Sequence, residues 1–440
     1  MKTKTLFCAL ALLAMIVAVE ASAEARNYIP HRTTVQQLAN TAQEIVVGEL
    51  QSVEDVKLTE VGLDAAKYKR INDGKWQNGE DYVRREAILQ VNSTIKGTSQ
   101  PGTELRFVSI RQLKLADYDA DLRSGEAIYF LHRREDGRYI VLSDERGTVT
   151  KDESQGDLNK TIDFVKNLVA EPEVSPLTID RMLDAISLNG SRLSVDCSIE
   201  LSWHHDVYAP QMNAEQRTRI LDLCKLSAAG TEERNQLLTA AGRHPAEGAL
   251  DGLLEVMFSD PSWSTTSLGA MSLEYVDRGQ AINRLLNEYD LATDDNVKMV
   301  IVRALGLIRP KADYDGAEPR NRTLNLVKGL LKADVDTNKD LLREALIASR
   351  DLRSQDAHVA ELKALIDNRE TNGLGDAEVK AAIVALAAAR TVDAEGKTTI
   401  LAQDYLVALG EADAVLKQAA ESAMKFPYTT LILGADGKGH

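Results

Sequence analysis

The spacing of apolar residues changes once along this 440-residue chain, and that change limits the possible folds more than any other feature. Between residues 44 and 143, apolar and polar side chains alternate over short segments, as they do in β-strands with one buried face. From Ala214 onward, apolar residues recur at three- and four-residue intervals, which is the pattern of amphipathic helices. The sequence therefore predicts a multidomain α+β protein with its β-rich part first and its helical part second.

Five segments of the first part have the composition of strands. They are residues 44–53, 82–95, 104–110, 125–133 and 138–143. Gly48 interrupts the first segment, which predicts a bulge or a close approach between strands. Gly137 lies between the last two, where a glycine is expected to supply the positive φ of a hairpin turn. Five strands with little helix between them predict a compact barrel or sandwich.

The order of these strands carries a family resemblance. The first strand contains VVGE, the second ends in IKG, and the third precedes the segment SGEAIYFL at Ser124–Leu131. Over about residues 34–150 this arrangement resembles the OB-like barrel of netrin and tissue-inhibitor-of-metalloproteinase domains, and similar modules in secreted bacterial proteins. The resemblance implies a small OB-like β domain. It does not imply protease inhibition, because the amino-terminal cysteine with which the inhibitors engage a protease metal has no counterpart here.

The second part contains helices whose apolar stripes are similar. Asp295–Ile308 and Asp376–Ala389 each place their apolar residues on one face. Within them, Asp295–Gly306 and Asp376–Ala387 both resemble the second helix of a HEAT repeat. A third stripe consists of Leu341, Leu342, Ala345 and Leu346. Probable helix pairs start near Arg278, Arg320, His358 and Lys397. Their spacing of about 40 residues is typical of a HEAT-like solenoid, in which stacking buries stripes that one pair cannot bury alone. A non-repetitive helical domain is the alternative.

The remaining segments complete a division of the chain. Helices are predicted at 158–169 and from Thr178, with a linker at Glu171–Pro176 between them. Residues 191–207 alternate as a strand would, so we interpret them as irregular or as an edge strand. We therefore predict a signal peptide (1–23), an OB-like β domain (24–155), a helical or irregular connector (156–213), a HEAT-like repeat domain (214–428) and a flexible tail (429–440).

The first residues predict export. Lys2 and Lys4 precede an uncharged apolar run from Leu6 to Val19, and the small residues Ala21-Ser22-Ala23 follow. This is the pattern of a cleaved secretory signal, so we expect a periplasmic or secreted protein. The run is too short to span a bilayer comfortably, and no later window is long and apolar enough. We expect no stable membrane insertion once the signal is removed.

Cys197 and Cys224 are the cysteines that remain after the signal is removed. In an oxidising compartment, the simplest outcome is a disulfide bond between them, which would stabilise the fold by about 3 kcal/mol. Two separately buried thiols are the alternative. A metal site that also uses His204 and His205 is disfavoured, because adjacent histidines point in different directions. We predict no metal and no cofactor.

The sequence favours a binding function over catalysis. It has no nucleophile elbow, phosphate-binding loop, dinucleotide fingerprint or zinc-protease motif. The formal charge of -15 disfavours nucleic acid and an acidic partner. We predict an exported, non-enzymatic binding or scaffold protein for a protein or peptide. The alternatives are an envelope hydrolase with its site near Trp203-His204-His205-Asp206, and a purely structural part of an envelope assembly.

Overall fold

A computed structural model describes residues 33–57, 70–72, 75–77, 82–112, 125–142, 146–186, 190–332, 338–352, 357–392 and 398–425. The predicted signal peptide and flexible tail lie outside these residues. The chain divides into two compact units, one comprising Met1–Glu173 with Ser191–Cys197 and the other Val174–Gly190 with Ser198–His440. The first division falls inside the segment whose composition predicts a linker.

The first unit contains the first eight strands and two complete helices. The helices are α1 (Val35–Thr41) and α2 (Leu158–Ala170). The strands are β1 (Glu44–Lys57), β2 (Arg70–Asn72), β3 (Lys75–Gln77), β4 (Tyr82–Lys96), β5 (Glu104–Gln112), β6 (Glu126–Arg133), β7 (Tyr139–Val141) and β8 (Thr148–Thr150). All five predicted strands are present, as β1, β4, β5, β6 and β7.

Five of the described strands close into a barrel. Their order around it is β1-β4-β5-β7-β6, and β6 pairs again with β1. The β5–β7 pair is parallel, whereas the other pairs that close the barrel are antiparallel. Strand β8 adds to β6, and β2 with β3 forms a separate small hairpin. The prediction of a compact barrel is confirmed.

The barrel interior explains the alternation in its strands. Its buried core consists of Val46, Ala87, Leu89, Val91, Leu105, Phe107, Ala127, Tyr129, Leu131 and Tyr139. Gly48 marks a register shift between β1 and β4, and a Cβ atom there would lie 2.4 Å from the backbone oxygen of Gln90. Gly137 has φ of 81° in the β6–β7 turn. Both glycine predictions are confirmed.

The remaining helices follow in chain order. They are α3 (Pro176–Ala185), α4 (Arg192–Trp203), α5 (His205–Tyr208), α6 (Ala214–Leu226), α7 (Glu232–Arg243), α8 (Ala249–Ser259), α9 (Trp263–Leu291), α10 (Asp295–Ile308), α11 (Ala312–Asp315), α12 (Ala317–Lys332), α13 (Lys339–Asp351), α14 (Val359–Asp367), α15 (Asp376–Ala388), α16 (Gln403–Ala412) and α17 (Ala414–Lys425). A 3₁₀ turn (Ala209–Gln211) follows α5, and β9 (Arg390–Val392) pairs with β10 (Thr398–Ile400).

The strand-like interpretation of residues 191–207 is wrong, because this segment forms α4 and α5. The polar residues of α4 alternate in sequence with apolar ones, but both kinds are buried. The buried polar positions are Ser194, Asp196, Ser198, Glu200 and Ser202. A helix that is buried on nearly every side does not show polarity at a 3.6-residue period, so its sequence looks like that of a strand.

Successive long helices of the second unit contact one another in order. One series of contacts runs α7–α9–α10–α13–α15–α17, and further contacts join α6 to α8 and α12 to α14. Helix α9 is kinked at Asp277, where φ is -166° and ψ is 97°. Small residues allow close packing within the series, since a Cβ atom at Gly242 would lie 2.6 Å from the Ser272 Cα. Among the described residues, no helix is long and apolar enough to cross a membrane.

Candidate functional site

The predicted cluster Trp203–Asp206 lies where α4 ends and α5 begins. Trp203 is the last residue of α4, and His204 is the N-cap of α5. His205 and Asp206 are exposed in the first turn of α5, whereas Trp203 is partly buried. The structure places Trp203 and His205 beside the same arginine, Arg243 of α7, which the sequence did not indicate.

The C-terminal end of α7 caps the C-terminal end of α4. Arg243 Nη1 donates to the carbonyl oxygen of Ser202 at 2.7 Å, and the next residue, His244, contacts the carbonyl oxygen of Leu201 through Nε2 at 2.9 Å. The last carbonyl groups of a helix have no partner within the helix, so these two side chains satisfy them. Capping therefore fixes the position of Arg243 relative to Trp203.

Two aromatic rings enclose the Arg243 guanidinium. Its Cζ lies 5.3 Å from the ring centre of Trp203 and 5.2 Å from that of Tyr275 in α9. The indole of Trp203 is held in turn, because its Nε1 donates to Gln236 Oε1 at 2.9 Å. Tyr275 is 49% exposed. The result is a cation between two aromatic walls, one fixed and one facing solvent.

The polar groups that accept hydrogen bonds from Arg243 are uncharged. Nη1 lies 3.3 Å from His205 Nδ1, so Nδ1 accepts and a neutral His205 carries its proton on Nε2. Nη2 donates to the Tyr275 hydroxyl oxygen at 3.4 Å, which leaves the hydroxyl proton able to donate onward. The Nε of Arg243 is buried without a hydrogen-bond partner. In the part of the chain that the structure describes, no carboxylate forms an ion pair with Arg243.

His244, the residue after Arg243, helps to hold the end of α4 in place. Its side chain is fully buried, and desolvation lowers its pKa to about 4. Its Nδ1 has no hydrogen-bond partner. The imidazole is therefore neutral near pH 7, and its role in the structure is to cap α4.

A second arginine stack lies on the same helix α9, at its N-terminal end. Arg303 of α10 places its Cζ 5.2 Å from the ring centre of Trp263, the first residue of α9. Unlike Arg243, Arg303 has a carboxylate partner, because its Nε donates to Glu344 Oε2 at 3.0 Å and its Nη2 donates to Oε1. We call the two arrangements the Arg243 stack and the Arg303 stack.

The buried polar centre of the first unit lies in the first half of α4. Asp196 accepts hydrogen bonds from Arg146 Nη2 at 2.5 Å and from the Val35 backbone N–H at 3.0 Å, and it forms an ion pair with Arg192. Burial raises the pKa of Asp196, although the two guanidinium groups oppose the change. Asp196 has no exposed surface, so this centre holds the fold together.

The predicted disulfide bond is not formed: Cys197 and Cys224 are not bridged to each other, and both are buried. Gln36 Nε2 donates to Cys197 Sγ at 3.2 Å. Burial raises the pKa of Cys224 to about 12, which keeps this thiol protonated and unreactive near pH 7. The sequence left this arrangement open as the alternative.

The surroundings of His205 differ from those of a hydrolytic histidine. A hydrolytic histidine lies beside a nucleophile, whereas the side-chain hydrogen bond of His205 is to a guanidinium. Over the described ranges, no group of three or more histidine, cysteine, aspartate or glutamate side chains could hold a metal ion. No protein-family model, curated protein or solved structure matches this chain.

Proposed function

We propose that this chain is an exported, non-enzymatic protein that binds a protein or peptide partner in the cell envelope or outside the cell. The observation that carries the proposal is the Arg243 stack, in which a cation lies between two aromatic rings, one of them half exposed, and no described residue pairs with it as an anion. Tryptophan, tyrosine and arginine are the residue types that most often dominate binding energy at protein interfaces.

We also propose that the barrel is OB-like. If the barrel strands β1, β4, β5, β6 and β7 are numbered one to five, their order is 1-2-3-5-4 with closure onto strand one, and the third and fifth strands are parallel. That order supports the resemblance stated from the sequence. The binding proposal does not depend on it.

The helical unit is proposed to be a HEAT-like solenoid. Support comes from the series α7–α9–α10–α13–α15–α17, in which each helix contacts the next and each is preceded in sequence by a helix, or by a half of α9, that packs on it. Such an array presents one row of helices as an extended binding surface. The Arg243 stack lies at its α7–α9 end.

Site-specific photo-crosslinking in the native envelope tests the binding proposal. A benzophenone amino acid replaces Tyr275 in one variant and Tyr314, which is 83% exposed in α11, in a matched control. We expect one reproducible adduct from position 275 that is absent from position 314. The same adduct should disappear when Trp203→Ala is added, because that change removes the inner aromatic wall.

Two outcomes would contradict the proposal. Equal adducts from both positions would show that labelling follows exposure alone. An adduct consisting only of a second copy of this chain, with matching self-association in sedimentation, would favour the purely structural role instead.

A further inference from the structure

The Arg243 stack has unused hydrogen-bond donors that converge on one place. Arg243 Nη2 and the Tyr275 hydroxyl lie 3.4 Å apart, and His205 Nδ1 accepts from the other side of the same guanidinium. The hydroxyl proton of Tyr275 and the second N–H of Nη2 are both free to donate. A ligand atom here must therefore be an acceptor.

The charge of the site restricts that acceptor further. Arg243 has a full positive charge, and among the described residues it has no acidic partner. One cation beside one neutral donor, the Tyr275 hydroxyl, matches a monoanion such as a carboxylate, whose two oxygens can accept from Nη2 and from that hydroxyl. A polyanion is disfavoured, because the chain as a whole has a formal charge of -15.

The Arg303 stack shows how this chain arranges a carboxylate against a guanidinium that lies on an aromatic ring. Glu344 accepts from two nitrogens of Arg303, while Trp263 covers the guanidinium at 5.2 Å. The Arg243 stack has the cation and the aromatic walls, but no described residue supplies the acid. The missing component is of the same chemical class as Glu344.

We infer that the Arg243 stack binds the C-terminal carboxylate of a neutral or basic peptide. This inference rests on the proposed binding function and names the chemistry of its ligand. A terminal carboxylate is favoured over an acidic side chain, because the negative chain repels acid-rich segments, and a neutral or basic peptide still has one carboxylate at its end. The ring of Tyr275, half exposed, provides an apolar surface for the last side chain of the peptide.

The test uses the whole mature chain and fluorescent short peptides of neutral or basic composition with varied last residues. Each peptide is made with a free C-terminal carboxylate and with a C-terminal amide, and binding is measured by fluorescence anisotropy. We expect the free acids to bind about tenfold more tightly than the amides, since a charge-assisted hydrogen-bond pair is lost with the amide.

Variants locate that difference on the chain. In Tyr275→Phe and in Arg243→Lys we expect the preference for the free acid to shrink to about twofold, because one donor or the planar fork is lost. Tyr275→Phe leaves the α4 cap intact, so it remains informative if Arg243→Lys unfolds. The matched control is Arg303→Lys, in the stack already closed by Glu344, and it should keep the wild-type preference.

The outcomes separate this inference from the proposed function. Equal binding of acids and amides would overturn the carboxylate inference and leave the binding function standing. If no peptide bound in either form, the carboxylate inference would fall, and the crosslinking experiment would decide the binding function separately. If amidated peptides with an internal glutamate bound as tightly as the free acids, the assignment to a chain terminus would be wrong.

Discussion

The Arg243 stack and the Arg303 stack lie at opposite ends of the first half of α9, and they differ in one component. Both place a guanidinium within about 5 Å of an aromatic ring. In the Arg303 stack, Glu344 supplies an anion, and the side chains of Arg303 and Glu344 are only 12% and 10% exposed. In the Arg243 stack no described residue supplies one, and Tyr275 faces solvent.

This difference distinguishes Arg303, whose charge is neutralised within the fold, from Arg243, whose charge no described residue neutralises. A buried guanidinium without a counterion is costly, so the Arg303 stack needs Glu344 to be stable. Arg243 avoids that cost in another way, since its stack is partly exposed and Nη1 donates to a helix carbonyl group. The chain can therefore tolerate Arg243 without an acid, and its charge stays available to a ligand.

The largest predicted effect is the loss of stability when the Arg303 stack loses its anion. Glu344→Ala should lower the free energy of unfolding by about 3 kcal/mol, because it leaves a largely buried Arg303 without its anion. Urea denaturation of the two proteins measures this difference. The double variant Arg303→Met with Glu344→Leu should recover most of it, since both charges are removed. A loss below about 1 kcal/mol in the single variant would mean that the pair contributes little.

The next largest effect is a pH dependence of stability that arises from His244, the residue after Arg243. The pKa of His244 is about 4 in the folded protein and about 6.5 when the chain is unfolded, so the unfolded state binds more protons between those values. Stability is therefore complete above pH 6.5 and is lost as the pH falls. His244 alone should lower the free energy of unfolding by about 2 kcal/mol between pH 7.5 and pH 5.

Urea denaturation at several pH values, repeated with His244→Gln, isolates this contribution. The variant should have a shallower slope over the same range. It should not abolish the slope, because burial also lowers the pKa of His358. An unchanged slope in His244→Gln would contradict the assignment.

Replacing arginine by methionine should lower the free energy of unfolding less in the Arg243 stack than in the Arg303 stack. Arg243→Met removes two partly exposed aromatic contacts and the hydrogen bond to Ser202, a loss of about 1.5 kcal/mol. Arg303→Met leaves Glu344 buried without a partner, so its cost should be about twice as large. Parallel thermal and urea denaturation of both variants provides the comparison. Equal losses would mean that the two stacks are energetically alike.

The sequence predicted those parts of the fold in which one face of an element is buried. The predicted helix at Asp295–Ile308 has the same bounds in the structure, and the five barrel strands are all present. Prediction failed for α4, where polar residues such as Ser194 and Asp196 are buried along with the apolar ones. The sequence of a helix shows a 3.6-residue pattern only when one face is exposed, and α4 is buried on nearly every side.

The candidate site was only half predictable for a related reason. Trp203 and His205 are close in sequence and were identified together. Arg243 and Tyr275 come from α7 and α9 and show no local motif, because an arginine at the end of a helix is ordinary. Only the packing of α7 and α9 brings these side chains to Trp203.

The smallest predicted change in stability distinguishes a binding group from a structural one. Tyr275→Phe keeps the ring over Arg243 and removes only a hydroxyl group that accepts a 3.4 Å hydrogen bond at the surface. The free energy of unfolding should therefore change by less than about 0.5 kcal/mol, as measured by urea denaturation. A larger loss would place Tyr275 in the same category as Glu344, a residue that the fold requires. If stability is unchanged, any loss of partner binding in Tyr275→Phe comes from the hydroxyl group itself, a group that Trp263 of the Arg303 stack lacks.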